Sequence, residues 1–145
     1  MKASKQLKYD LMYLDICERI SHMSYAIRAK VGAILVKDDN IISMGWNGTP
    51  SGFDNECEIQ LDEFNPDSLM TKPEVLHAES NCLTKVARSS QSSEGSTMYI
   101  TISPCMDCSK LIAQSGIKRV VFKKFYRDQK SLDFLSRFGI IVDSL

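Results

Sequence analysis

No apolar run in this 145-residue sequence approaches the roughly 18 residues that a membrane-spanning helix needs. The opening MKASKQLKYD also lacks the apolar h-region of a secretory signal. A cytoplasmic chain with no membrane partner is therefore expected. An excess of charge is missing as well, since 18 basic residues are matched by 18 acidic ones. That balance argues against the broad basic face with which a protein reads a nucleic-acid backbone, and favours a small or locally bound substrate. An even set of cysteines is absent. The five present are Cys17, Cys57, Cys82, Cys105 and Cys108, and in a reducing compartment metal binding or buried thiols outrank disulfides. No internal repeat is visible. Proline is scarce, and three of the four prolines fall within residues 48–73.

What is present suits a single ordinary domain over residues 1–145, because a hydrophobic content of 43% and a charged content of 25% lie in the globular range. Leu7, Leu11, Leu14, Ile16 and Ile20 recur at helical spacing, which predicts an amphipathic helix over residues 5–24. Two apolar runs around Asp38, Asp39 and Asn40 predict a hairpin of strands 31–37 and 40–46. Residues 48–73 show little periodicity and read as one long solvated loop, a length that is usually functional or mobile. A second helix is expected over 77–89, followed by the polar linker SSQSSEGS. TMYITI, VVFKKF and IIVDSL then read as strands, separated by helices over 105–116 and 129–139 that close on Gly116 and Gly139. This alternation predicts an α/β fold: a mixed sheet covered by helices, with parallel pairs in its second half.

Two short motifs carry the chemistry. TKPEVLHAESNCL places His77 two residues before Glu79 at a helix start, a pattern that alone most often marks a solvated first turn. ITISPCMDCSKLI sets Cys105 and Cys108 three apart beyond a strand, with Ser103 as the expected cap and Pro104 in the first turn of the helix. Unpaired amides and the helix dipole lower thiol pKa values there, although a bare CxxC is equally a redox pair or two buried thiols. Taken together, one histidine and two cysteines supply three ligands and leave a tetrahedral zinc ion an open position, the catalytic pattern. Glu79 is then a carboxylate beside the metal, free to move protons. A fourth ligand for a structural zinc, such as Cys57 or Cys82, stays open at this level.

HxE followed by PCxxC is the signature of zinc-dependent nucleobase deaminases. The series VGAILV, MGWNGTPSG, HAESN, MYITISPCMDC and IAQSGIKRVVF resembles the deoxycytidylate (dCMP) deaminases, most closely those of T-even bacteriophages, over residues 1–142. Trp46 stands where tyrosine is more usual in the GYNG segment of that family. The resemblance implies the cytidine deaminase-like three-layer α/β/α fold, with a mixed five-stranded sheet and helices on both faces. It implies hydrolysis of dCMP to dUMP and ammonia, in which Glu79 passes a proton from a zinc-activated water to N3 of cytosine and then to the departing amine. Asn47 is implied to bond a sugar hydroxyl, its alternative being a turn residue in an NG hairpin. Ala78, Ser103 and Pro104 complete the implied substrate site. Arg28 and Lys30 are candidates for phosphate, or an ordinary solvated charge pair. Tyr126 and Arg127 lie beyond a strand, where α/β sheets expose ligand-binding loops.

Some phage members carry a longer loop before HAE, with a histidine and further cysteines around a second zinc. Here residues 48–73 hold no histidine and only Cys57, so one zinc per chain is expected. Regulation is implied as well: activation by dCTP and inhibition by dTTP, each with Mg²⁺, near Gly45, Trp46, Gly48, Thr49, Gly52 and Lys30. Three glycines within eight residues let backbone amides approach a phosphate, or merely make a flexible hairpin exit. Homo-oligomers, most often hexamers, follow from the same resemblance. Two other readings compete. Transfer-RNA adenosine deaminases share both motifs, but typically with a shorter gap than the 30 residues from Asn47 to His77. A non-catalytic zinc-stabilised binding module would also need the three ligands. Cys17 and Cys82, placed among apolar helix residues, are expected to be inert buried thiols.

Overall fold

The computed structural model describes residues 2–126 and 128–145, with side chains from Ser4 onward. Its elements run α1 (Lys2–Ser21), β1 (Gly32–Lys37), β2 (Asn40–Trp46), β3 (Glu58–Asp62), β4 (Asn65–Thr71), α2 (Ala78–Ala87), β5 (Thr97–Ile102), α3 (Met106–Gln114), β6 (Arg119–Lys124), α4 (Gln129–Phe138) and β7 (Ile141–Ser144). Five strands form one sheet in the order β2-β1-β5-β6-β7. Pairing is antiparallel from β2 through β5 and parallel from β5 through β7. This is the mixed sheet the element order predicts, and β5 is the strand at which the pairing changes sense.

Side-chain alternation divides the core into two layers. Ile34, Val36, Tyr99 and Val121 face α1 and pack with Tyr13, Leu14, Cys17 and Ile20. Ala33, Leu35, Met98, Ile100, Val120 and Phe122 face the other way, against α2, α3 and α4. Helices therefore cover both faces. Within α1 the inward stripe is Asp10, Tyr13, Leu14, Cys17, Ile20 and Ser21, whereas Leu7 and Leu11 are 45% and 49% exposed. The buried face is thus rotated from the expected one, because Leu7 and Leu11 share helical spacing with Leu14 but lie one turn-edge away from the sheet. The helix also ends at Ser21, three residues before the expected limit, where His22 and Met23 turn back on Arg19 and Ile20.

One polar cluster centred on buried Asp10 ties α1 to β5, β6 and β7. Arg119 donates through Nη1 and Nη2 to the two oxygens of Asp10 at 2.8 Å each, and Tyr99 donates its hydroxyl to Asp10 at 2.7 Å. The other side of the guanidinium reaches Asp143 on β7 at 2.8 Å. The β1–β2 turn uses Asp38 and Asp39 at φ 50° and 61°, the left-handed pair that a two-residue hairpin requires.

The expected long loop over 48–73 is corrected by the structure. Its centre is a two-stranded antiparallel hairpin, β3–β4, separate from the main sheet. Glu58 pairs with Thr71 at the root, and Ile59 with Met70 above it. Leu61 and Phe64 are 64% and 87% exposed, so the arm's outer part is not packed into the domain. Pro66 sits in β4 without disturbing it because an edge strand leaves amides unpaired.

Candidate active site

His77 and Cys105 are the N-cap residues of α2 and α3. Both have extended backbones, with ψ of 158° and 172°, and neither side chain is used to cap its own helix. The side chains are thereby left to face each other across the gap between the two helix starts. This corrects the expected start of α3: the cap is Cys105 rather than Ser103, and Pro104 precedes the helix, its carbonyl accepting from Ser131 Oγ at 2.8 Å. Pro104 is buried in that contact rather than in the first turn.

His77 Nδ1 lies 3.6 Å from Cys105 Sγ and 3.3 Å from Cys108 Sγ, and all three ligand atoms fall within 4.8 Å of one another. Bond lengths of about 2.3 Å to sulfur and about 2.0 Å to nitrogen place N and S about 3.5 Å apart around a tetrahedral zinc ion. The spacing therefore fits zinc, and among the described residues this is the one such group of three. The charge pattern fits it too. Cys105 is pushed down to about 4 by hydrogen bonds from the Cys108 thiol and from His77, so a thiolate forms readily. Cys108 is pushed up because it donates to that thiolate. Left to protons alone the pair shares one, which a cation would displace.

Glu79, in the first turn of α2, is 4% exposed. Burial raises its carboxyl pKa, partly countered by its own backbone amide, His77 and Cys108. A carboxyl raised in this way is suited to carrying a proton near neutral pH. Glu79, His77 and Cys105 line one cleft of about 600 Å³, together with Ala78, Ser103, Asn47, Arg28 and Tyr126. Most of the expected substrate residues are thus gathered at one place. Pro104 is not among the lining residues, nor are Lys30, Gly45, Trp46, Gly48, Thr49 and Gly52. Arg127 lies outside the described residues.

Asn47 is committed more heavily than its sequence context reveals. Its Oδ1 accepts from the Val31 amide and its Nδ2 donates to the Ala29 carbonyl, each at 2.8 Å, so it fastens the 24–31 segment against the cleft. Gly45 has a packing role: a Cβ there would stand 2.5 Å from the Ala78 carbonyl and 2.6 Å from the Cys82 amide of α2. Trp46 carries Lys85 Nζ 4.8 Å over its ring. Thr49 donates to the Asp54 carbonyl at 2.6 Å, Gly48 bridges to Leu76, and Gly52 has φ +93°. Cys17 and Cys82 are fully buried, and burial pushes the Cys82 thiol up to about 11. Sequence reasoning missed Glu58 and Thr71 as lining residues, while Cys57, open in the sequence as a fourth ligand, lines the cleft outside the three-residue metal group. Recognising β3–β4 as a hairpin would have brought its root to attention; nothing local marks Glu58.

Residues 8–124 match the family model of the cytidine and deoxycytidylate deaminase zinc-binding region. The chain is 34% identical to the deoxycytidylate deaminase of Enterobacteria phage T4, covering 89% of this chain and 86% of that protein. It is 38% identical to the human deoxycytidylate deaminase, covering 83% and 67%. Among solved structures, the dCMP deaminase of cyanophage S-TIM5 in complex with dCMP and dUMP superposes with a TM-score of 0.87 at 45% identity, covering 95% of this chain and 97% of that one. A structure from a study of tRNA:A34 deaminases shares the fold, with a TM-score of 0.53 at 15% identity.

Proposed function

We propose that this chain, which belongs to the cytidine and deoxycytidylate deaminase family, hydrolyses dCMP to dUMP and ammonia. The observation that carries the reading is the buried Glu79 set in one cleft with His77 and Cys105, which Cys108 completes to a three-residue metal-binding group. It is supported by 45% identity to a cyanophage dCMP deaminase whose structure holds dCMP and dUMP.

His77 Nδ1, Cys105 Sγ and Cys108 Sγ are the atoms that would hold zinc, which when bound supplies Lewis-acid activation of a water with a pKa of about 7. Glu79 Oε takes a proton from the water that adds to C4 and delivers it to N3 of the cytosine ring. It then carries a second proton to the C4 amine, which leaves as ammonia, and the ring becomes uracil. Burial serves both transfers, since it favours the protonated carboxyl and so makes Glu79 a better acceptor of the water's proton than a solvated carboxylate is. Arg28 is the basic side chain described in the cleft, and it is assigned the 5′-phosphate. Asn47, Ala78, Ser103 and Tyr126 are assigned to the sugar and base.

Trp46, Gly48, Thr49, Gly52 and Lys30 are assigned the effector triphosphates, dCTP activating and dTTP inhibiting with Mg²⁺, while Gly45 is set by its packing against α2. Gly48 supports this in having open space around its Cα. Exposed Leu7, Leu11 and Met12 on α1 support self-association, and the hexamer is the state that the family resemblance implies. No described helix is long and apolar enough to cross a membrane, which accords with a role in the cytoplasm of a host cell. Ammonia release from dCMP, deoxycytidine, CMP and a tRNA stem-loop, measured side by side, tests the substrate. Fastest turnover of dCMP is expected; equal or faster turnover of deoxycytidine removes the nucleotide assignment. A dCMP titration that stays hyperbolic and unmoved by either triphosphate removes the regulatory one.

A further inference from the structure

The segment between α1 and β1 has neither helix nor strand, yet it supplies Ala26, Arg28, Ala29 and Val31 to the cleft. Side chains from elsewhere hold it. Asn47 fastens its C-terminal half, as described above. Its middle is held by the root of the β3–β4 hairpin. Both carboxylate oxygens of Glu58 accept from the Ile27 amide, at 2.9 and 3.0 Å, and Oε2 also accepts from the Arg28 amide at 3.5 Å. Thr71, directly opposite Glu58 across the hairpin, accepts from Arg28 Nη1 at 3.2 Å. One cross-strand pair thus grips both the main chain and the guanidinium of the same arginine.

We infer that Glu58 and Thr71 are positioning residues that set Arg28 as the receptor for the substrate's 5′-phosphate. The hairpin root is then the element that separates a nucleotide from a nucleoside. This rests on the reading of the cleft as a dCMP site. An arginine on a segment without secondary structure loses its preference for one rotamer unless its fork is held, and the ordering cost then falls on substrate binding. Glu58 fixes where the arginine's Cα stands, and Thr71 fixes where its guanidinium points. The remaining N–H donors of the fork are left for a phosphate, which arginine binds in a planar, paired fashion.

Coulomb's law alone says that deleting a carboxylate beside a phosphate site tightens binding of the dianion. A clamp predicts the opposite. The test uses the zinc-loaded full chain and compares kcat and KM for dCMP and deoxycytidine in Glu58→Ala, Glu58→Gln, Thr71→Val, Thr71→Ser and Arg28→Ala. The dCMP preference in kcat/KM should fall about tenfold in Glu58→Ala and Thr71→Val, chiefly through KM, on the scale of one charge-assisted hydrogen bond. Thr71→Ser keeps the hydroxyl and should keep the preference. In the Arg28→Ala background, adding Glu58→Ala should change nothing further. Equilibrium binding of dCMP, measured with Glu79→Gln to prevent turnover, should weaken in step.

Tighter dCMP binding on loss of Glu58 overturns the inference, as do equal losses for dCMP and deoxycytidine or additive effects of Arg28 and Glu58. A wild-type chain that prefers dCMP while Arg28→Ala preserves that preference also overturns it, and leaves the deaminase reading intact. A zinc-loaded wild-type chain with no turnover of dCMP removes that reading and the inference together.

Discussion

Replacing Gly45 by alanine places one methyl group where α2 allows none. The new Cβ would stand 2.5 Å from the Ala78 carbonyl oxygen, 2.6 Å from the Cys82 nitrogen and 3.1 Å from the Cys82 Cα. All three are backbone atoms of one helix, so no side chain can swing aside. Ordinary contact begins at 3.4 Å, and the first turn of α2 must therefore retreat by about 0.9 Å. Overpacking of this kind costs about 2 kcal/mol, which for a domain of this size lowers Tm by roughly 6 °C. The larger effect is chemical, because the first turn that moves carries Glu79 and is capped by His77. A misplacement of about 1 Å is enough to reduce turnover by about 100-fold. Thermal unfolding, zinc content and dCMP turnover, measured without any triphosphate, would report the three consequences separately. A Gly45→Ala chain with unchanged Tm and unchanged basal turnover would refute the packing argument, and would return Gly45 to the effector segment.

Asp10→Asn should cost about 2 kcal/mol, since the partly buried Arg119 guanidinium loses its bidentate carboxylate and keeps only Asp143; chemical denaturation measures this. Acid stability follows from the same group. Burial alone would raise the Asp10 pKa, but hydrogen bonds from Arg119, Tyr99 and Gln6 outweigh it and leave the carboxyl lowered. A lowered carboxyl stabilises the fold above its unfolded pKa, near 4, and that contribution is lost as pH falls through the folded value. The wild-type advantage over Asp10→Asn should therefore be full at pH 6 and shrink below about pH 4; an advantage that grows on acidification contradicts the assignment. Cys17→Ala and Cys82→Ala should each lower Tm while retaining a full complement of zinc, because both thiols are buried outside the three-residue metal group. Loss of zinc in either variant, read by elemental analysis, would contradict this.

How far the sequence reaches depends on the range of the interaction that decides each feature. The β1–β2 hairpin and the C-terminal alternation of strands and helices are readable because local signals, Asp-Asp-Asn and the glycine stops, agree with the apolar period. The β3–β4 hairpin is not, because the alternation of Glu58-Ile59-Gln60-Leu61-Asp62 lasts only five residues, its partner NPDSLMT carries a proline and no matching period, and neither strand buries a face. Leu7 and Leu11 mislead for a related reason: periodicity locates an apolar stripe but does not say which stripe meets the sheet. Among site residues, His77, Glu79, Cys105 and Cys108 stand in two compact motifs whose chemistry demands one another. The use of Nδ1, the fastening of residues 29–31 by Asn47, and the hold of Glu58 on Arg28 are tertiary contacts between segments 16 to 31 residues apart. No local pattern encodes them.

A zinc-dependent deamination of dCMP in which Glu79 moves the protons is probed most sharply by Glu79→Gln. Zinc content and ammonia release from dCMP should be measured on the same preparations of wild-type and variant protein. One zinc per chain is expected in both, with a loss of turnover of about 1,000-fold in the variant, since glutamine keeps the side chain's shape but cannot accept and pass on a proton. A zinc-loaded Glu79→Gln chain that releases ammonia within a few-fold of wild type would contradict that role for Glu79.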